Sequence, residues 1–139
     1  MRKRVLTSAI SFILICSLFT SLAFAATLRA SKYISSYNAV IYSSGTKINV
    51  DCSITGTGRM KTIGIKSVKI YTSSGTNVAT YSYTTDGYEY LMGSDTGRKT
   101  ASVTYTGTSG KSYYAVVVFY ASDGSGGDSR SYTTKTITV

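Results

Sequence analysis

The chain has 139 residues, with fifteen Lys and Arg against six Asp and Glu, thirteen Gly, thirteen Tyr, two Cys, and no His, Pro or Trp. Without histidine, Ser-His-Asp and Cys-His nucleophile systems and His-ligated zinc sites are excluded. Two cysteines are too few for a disulfide-rich miniprotein or a four-cysteine metal cluster. A hydrophobic fraction of 42% with 15% charged residues is unlike a disordered tail, and the length fits one domain.

The first residues read as an address. Met1-Arg2-Lys3-Arg4 is a basic start, Ile10 to Phe19 is a compact apolar run, and Ala23-Phe24-Ala25 offers the small residues a signal peptidase reads. This is the three-part pattern of a secretory signal peptide, with cleavage expected after Ala25. An uncleaved anchor fits less well, since the apolar run is short against the roughly 20 residues that span a bilayer. Ile15 before Cys16 also disfavours lipoprotein processing. With the leader go Arg2, Lys3, Arg4 and Cys16, so residues 26–139 carry twelve basic residues against six acidic ones, a net charge of +6, and Cys52 as a single cysteine. One cysteine closes no internal disulfide. Its two readings are a buried thiol or a bridge between chains. No apolar tail or wall-sorting sequence precedes Val139, so a secreted protein, free or held non-covalently at the cell surface, is expected.

From Ala30 onward Thr, Ser, Tyr, Val and Ile alternate in short runs between Gly and Ser-Gly turn signals, with no helical period. That is an all-β pattern. A first strand is expected within Tyr33 to Tyr42. In Lys47 to Thr55, Ile48, Val50, Cys52 and Ile54 share one parity and face inward. Gly56-Thr57-Gly58 then reads as a turn. In Thr62 to Thr72, Ile63 and Ile65 occupy one parity and Val68 and Ile70 the other, which predicts a bulge near Lys66-Ser67. Asn77 to Thr84 is the fourth strand, Asp86 to Lys99 an irregular stretch, and Ala101 to Thr106 the fifth strand. Ser112 to Ala121 is the sixth and most apolar. Ser122 to Ser129 reads as a Gly-rich hairpin loop, and Arg130 to Val139 as the last strand. Seven strands in this length match an immunoglobulin-like antiparallel β-sandwich; a half-open barrel is the alternative. Tyr113 follows the Gly107–Gly110 turn, where a tyrosine corner would bond its hydroxyl to the turn backbone.

The runs Ser31 to Tyr37, Thr55 to Met60, Gly110 to Ala121 and Asp128 to Thr134 together resemble a group of small secreted proteins of Gram-positive, gut-type bacteria. The resemblance spans essentially the whole chain after the leader. It implies export and an immunoglobulin-like or fibronectin-III-like sandwich, and it brings neither an activity nor site residues.

Catalytic chemistry has little support. Glu89, Asp86 and Asp95 share one stretch, but nothing in the sequence suggests the dry pocket that paired-carboxylate hydrolysis needs, so no catalytic residue and no cofactor are expected. Asp123 and Asp128 in the Gly-rich loop offer oxygens to Ca²⁺, but a third carboxylate is missing nearby and the same letters make an ordinary turn; no metal site is assigned. A Lys–Asn isopeptide staple has only Asn38, Asn49 and Asn77 to draw on.

Two features remain. In Ser112 to Ala121 both faces are apolar; Tyr113, Ala115, Val117 and Phe119 are expected inward, leaving Tyr114, Val116, Val118 and Tyr120 as an outward strip. Either Tyr132, Thr134 and Thr136 or Ser131, Thr133 and Lys135 would flank it. Such strips mark binding or self-association surfaces. The second feature is charge, concentrated in Lys61, Lys66 and Lys69 and in Arg98-Lys99. The candidate ligand face is therefore Tyr114, Val116, Val118, Tyr120, Lys66 and Lys69. It points to a non-enzymatic binding or adhesion module for the cell surface, an anionic wall polymer or a glycan. The alternatives are a self-assembling extracellular protein and a basic toxin-like or antimicrobial effector. Nucleic acid is not an expected partner, since no recognition motif is present. Nor is stable membrane insertion, since no apolar hairpin or amphipathic helix is long enough.

Overall fold

The computed structural model describes residues 31–139; the leader and its boundary after Ala25 lie outside the described residues. The described chain is all-β and antiparallel. Its seven strands are β1 (Ile34–Ser44), β2 (Lys47–Thr72), β3 (Asn77–Ser82), β4 (Met92–Thr106), β5 (Ser112–Ser122), β6 (Gly127–Thr133) and β7 (Ile137–Thr138). A single 3-10 turn, Glu89–Leu91, precedes β4.

One strand organises the sheet. β2 is 26 residues long. Its first part, Lys47 to Thr55, lies between β1 and the second half of β4. Its last part, Ser67 to Tyr71, lies between β5 and β3. β5 carries β6 and β7 on its far edge. All seven strands thus belong to one hydrogen-bonded sheet that curls on itself.

The curl has a sequence cause, and it corrects the expected turn at Gly56-Thr57-Gly58. Thr55 pairs with Arg98 and Met60 with Thr96, so Gly56 to Arg59 stand opposite Gly97 alone. Extra residues on one strand bend it and raise its twist without reversing the chain. Expected strands at Lys47 to Thr55 and Thr62 to Thr72 are therefore one strand with a corner. The β1–β2 connection is a true reversal. Gly45, with φ of 60°, occupies the first position of a two-residue loop, as a type II′ hairpin requires.

Three further boundaries differ from expectation. β6 begins at Gly127, inside the expected Ser122 to Ser129 loop, because Gly127, Asp128 and Ser129 pair with Ser122, Ala121 and Tyr120. The irregular stretch contains the start of β4, because Met92, Gly93 and Ser94 pair with Gly64, Ile63 and Thr62 and Leu91 is fully buried beside them. The last strand is split in two. At Thr134 the side chain takes over the ladder: its Oγ1 accepts the Ala115 N–H at 2.9 Å, while its own N–H donates to the Ala115 carbonyl at 2.9 Å.

The core follows the alternation. Ile48, Val50, Cys52 and Ile54 are buried from the first half of β2, and Ile63, Ile65, Val68 and Ile70 from the second. The parity change falls at the register shift between Ile65 and Ser67, so the bulge predicted near Lys66-Ser67 is present. Tyr113, Ala115, Val117, Phe119 and Ala121 complete the core from β5. Rings join the two halves of the curl. Tyr37 of β1 meets Phe119 at 5.4 Å between centroids, and Tyr105 of β4 meets Tyr113 at 6.0 Å.

The tyrosine corner is also present: the Tyr113 hydroxyl accepts the Thr108 N–H at 2.9 Å. Tyr113→Phe leaves that N–H without its acceptor, and a loss of about 1–3 kcal/mol in a urea titration is expected. An unchanged midpoint would mean that water substitutes freely in the turn.

Candidate functional site

The six residues singled out on the outer face come together. β5 alternates strictly, with Tyr113, Ala115, Val117 and Phe119 buried and Tyr114, Val116, Val118 and Tyr120 half-exposed. Across the ladder, Tyr114 pairs with Tyr71, Val116 with Lys69, Val118 with Ser67, and Tyr120 with Gly64. On the other side Val116, Val118 and Tyr120 pair with Thr133, Ser131 and Ser129. The flanking row is therefore the Ser131, Thr133 one, because Tyr132 pairs with the inward Val117 and packs edge-on to Tyr37 at 6.4 Å.

Each lysine is placed by a local device. Lys69 is exposed beside Val116 in regular register. Lys66 is the bulged residue, and the bulge turns its ammonium over the Tyr120 ring, 4.7 Å from the centroid. That is cation–π distance. Tyr71 and Tyr114 stack at 5.3 Å with planes 12° apart. The strip thus carries one ring pair at one end, a lysine-capped ring at the other, and two valines between. Tyr71 is a member that sequence reading missed. Its parity with Lys69 was legible, but its alignment with Tyr114 depends on long-range register.

The remaining candidates are engaged elsewhere. Asp123 Oδ1 accepts the Ser125 N–H at 2.9 Å, its hydroxyl at 2.8 Å and the Gly126 N–H at 3.1 Å, and these bonds, those from Ser125 first, hold its carboxyl below the usual range. Asp128 forms an ion pair with Arg130 at 2.8 Å. Among the described residues no cluster of three or more His, Cys, Asp or Glu side chains is present. Glu89 accepts the Gly87 N–H at 2.9 Å.

Cys52 is buried and free. Burial, and secondarily the Asp51 carboxylate, pushes its thiol up to about 12. A thiol is reactive only as thiolate, so native protein at mild alkaline pH is expected to resist a maleimide reagent that labels the denatured chain stoichiometrically. The raised value also fixes a sign. Between about pH 9 and about pH 12 the unfolded thiol loses its proton while the folded one keeps it, so stability falls as pH rises. Cys52→Ala is expected to flatten that fall in urea melts; an identical slope would refute the linkage.

Among the described residues no helix is long and apolar enough to cross a membrane. Compared with protein-family models and with curated proteins, the chain matches none.

Proposed function

We propose that the chain is a secreted, non-enzymatic binding module, exported by a signal peptide cleaved after Ala25. Its two half-sheets pack as an immunoglobulin-like sandwich, and it attaches to an anionic extracellular polymer or glycan of the kind found in Gram-positive walls. The observation that carries the reading is the convergence of Lys66, Lys69, Tyr114, Val116, Val118 and Tyr120 on one strip of the β2–β5 face. The net charge of +6 over residues 26–139 supplies long-range attraction. The half-exposed rings and valines supply short-range contact once the polymer arrives.

The two contributions separate by salt. Attraction between exposed charges is screened over about 8 Å at physiological ionic strength, whereas ring contact survives. Co-sedimentation with Gram-positive wall sacculi, with and without teichoic acids, is expected to show binding that needs the anionic polymer and fades as salt rises. Lys66→Ala with Lys69→Ala is expected to weaken it by roughly tenfold, the equivalent of about 1.4 kcal/mol. Absence of sedimentation, or sedimentation indifferent to both lysines, would overturn the proposal. Concentration-dependent oligomers in place of wall binding would favour self-assembly through the same strip.

A further inference from the structure

The other half of the curl has an outer face of different chemistry. On β1, β2 and β4 the outward residues fall into cross-strand rows: Asn38, Ser53 and Thr100; then Val40, Asp51 and Ser102; then Tyr42, Asn49 and Thr104. The first two rows border a shallow depression of about 480 Å³ that includes Asn38, Val40, Asp51, Thr100 and Ser102, and Tyr42 of the third row stands beside it.

Two of the rows are tied by side-chain hydrogen bonds. Ser102 Oγ donates to Asp51 Oδ1 at 2.5 Å, and Thr104 Oγ1 donates to Asn49 Oδ1 at 2.8 Å. The carbonyls of Ser102 and Thr104 point away from β2 and accept the hydroxyls of Tyr90 and Tyr81, each at 2.9 Å. Residues whose carbonyls point outward belong to the non-hydrogen-bonded pairs of an antiparallel ladder, where side chains stand closest. The same tyrosine hydroxyls occupy two carbonyls along the free edge of β4.

Its polar groups mix donors and acceptors; Asp51 is the only ionised group of the three central rows, and the rows at either end carry Arg98 and Lys47, one cation each. Val40 and Tyr42 rise from β1 with 49% and 45% of their surface exposed. The Tyr42 hydroxyl lies near enough to Asp51 for the carboxylate to raise its pKa, with burial adding less. A ligand that matches this surface is nearly neutral, dense in hydroxyls and apolar on one side. Those are the properties of a neutral saccharide: a carboxylate and amides accept and donate to its hydroxyls, and a ring covers its C–H face. An anionic polymer would meet Asp51 at the centre, and a hydrophobic peptide would leave the hydroxyl rows unpaired.

We propose that this face is a second binding site, specific for a neutral glycan, with Asp51 as the central acceptor and Tyr42 as the stacking ring. It is independent of the lysine strip, which lies on the other half of the curl. The test is native affinity electrophoresis of the full chain through gels containing dextran, mannan, galactan or hydroxyethylcellulose, at high salt to silence the lysines. Retardation by at least one polymer is expected. Asp51→Asn keeps the Ser102 bond and Tyr42→Ala removes an exposed ring, so both are expected to fold with unchanged circular dichroism and melting. Each is expected to weaken retardation by roughly tenfold, while Lys66→Ala with Lys69→Ala leaves it unchanged. No retardation by any of the four polymers, or retardation indifferent to Asp51 and Tyr42, would overturn the proposal.

Discussion

Gly64→Val is expected to leave the protein largely unfolded, and Gly64→Ala to lower its melting temperature by roughly 10–20 °C. Gly64 sits where β2 is most crowded, with Met92 of β4 as its partner on one side and Tyr120 of β5 on the other. A Cβ at this position would run into the Leu91 carbonyl oxygen and come within 2.8 Å of the Met92 Cα. Both are backbone atoms, so no rotamer change relieves the contact. Leu91 is fully buried and cannot move outward without exposing its side chain. Overpacking of this kind costs about 1–3 kcal/mol, occasionally more, and valine adds two methyl groups to the same clash. Gly58→Ala is the control, because a Cβ there meets nothing within 4 Å and a less flexible residue lowers the entropy of the unfolded chain. Thermal melts of the three variants decide the matter. An alanine at 64 as stable as one at 58 would mean that the Leu91–Met92 segment yields easily.

The buried sets on β2 and β5 were legible because a strand facing a core repeats every second residue, and the parity change between Ile65 and Val68 marked the bulge. Gly56-Thr57-Gly58 was misread because the same residues serve a reversal or a bulge, and the choice is made by Gly97 of β4, far along the chain. The start of β4 was hidden for a related reason. Gly93, Ser94 and Asp95 have poor strand propensity, and they form a strand because Met60 to Gly64 offers a partner. The lysine strip was readable as residues but not as a geometry, since only the bulge brings Lys66 over Tyr120. The Asp51 face gave no local signal, because Asp51 and Ser102 are 51 positions apart.

Phe119→Ala is expected to cost about 3–5 kcal/mol, a large share of the roughly 5–15 kcal/mol that holds a domain folded. Phe119 is fully buried on β5, and its ring faces Tyr37 of β1 at 5.4 Å with planes tilted by 46°. Tyr37 in turn meets Tyr132 of β6 at 6.4 Å. β1 and β5 are not neighbours in the ladder; each pairs with a different part of β2. Contact between their rings exists only if the sheet curls at the Gly56 to Arg59 corner, so the energy of that contact reports on the curl itself. A double-mutant cycle with Tyr37→Ala isolates it from the cavity cost. Aromatic pairs contribute about 0.5–1.5 kcal/mol beyond area burial, and a coupling energy in that range is expected from urea titrations of the single and double variants. Strict additivity would mean that the two halves stand apart in solution. The lysine strip and the Asp51 face would then lie on two plates joined at a loose corner, not on the two outsides of one closed core.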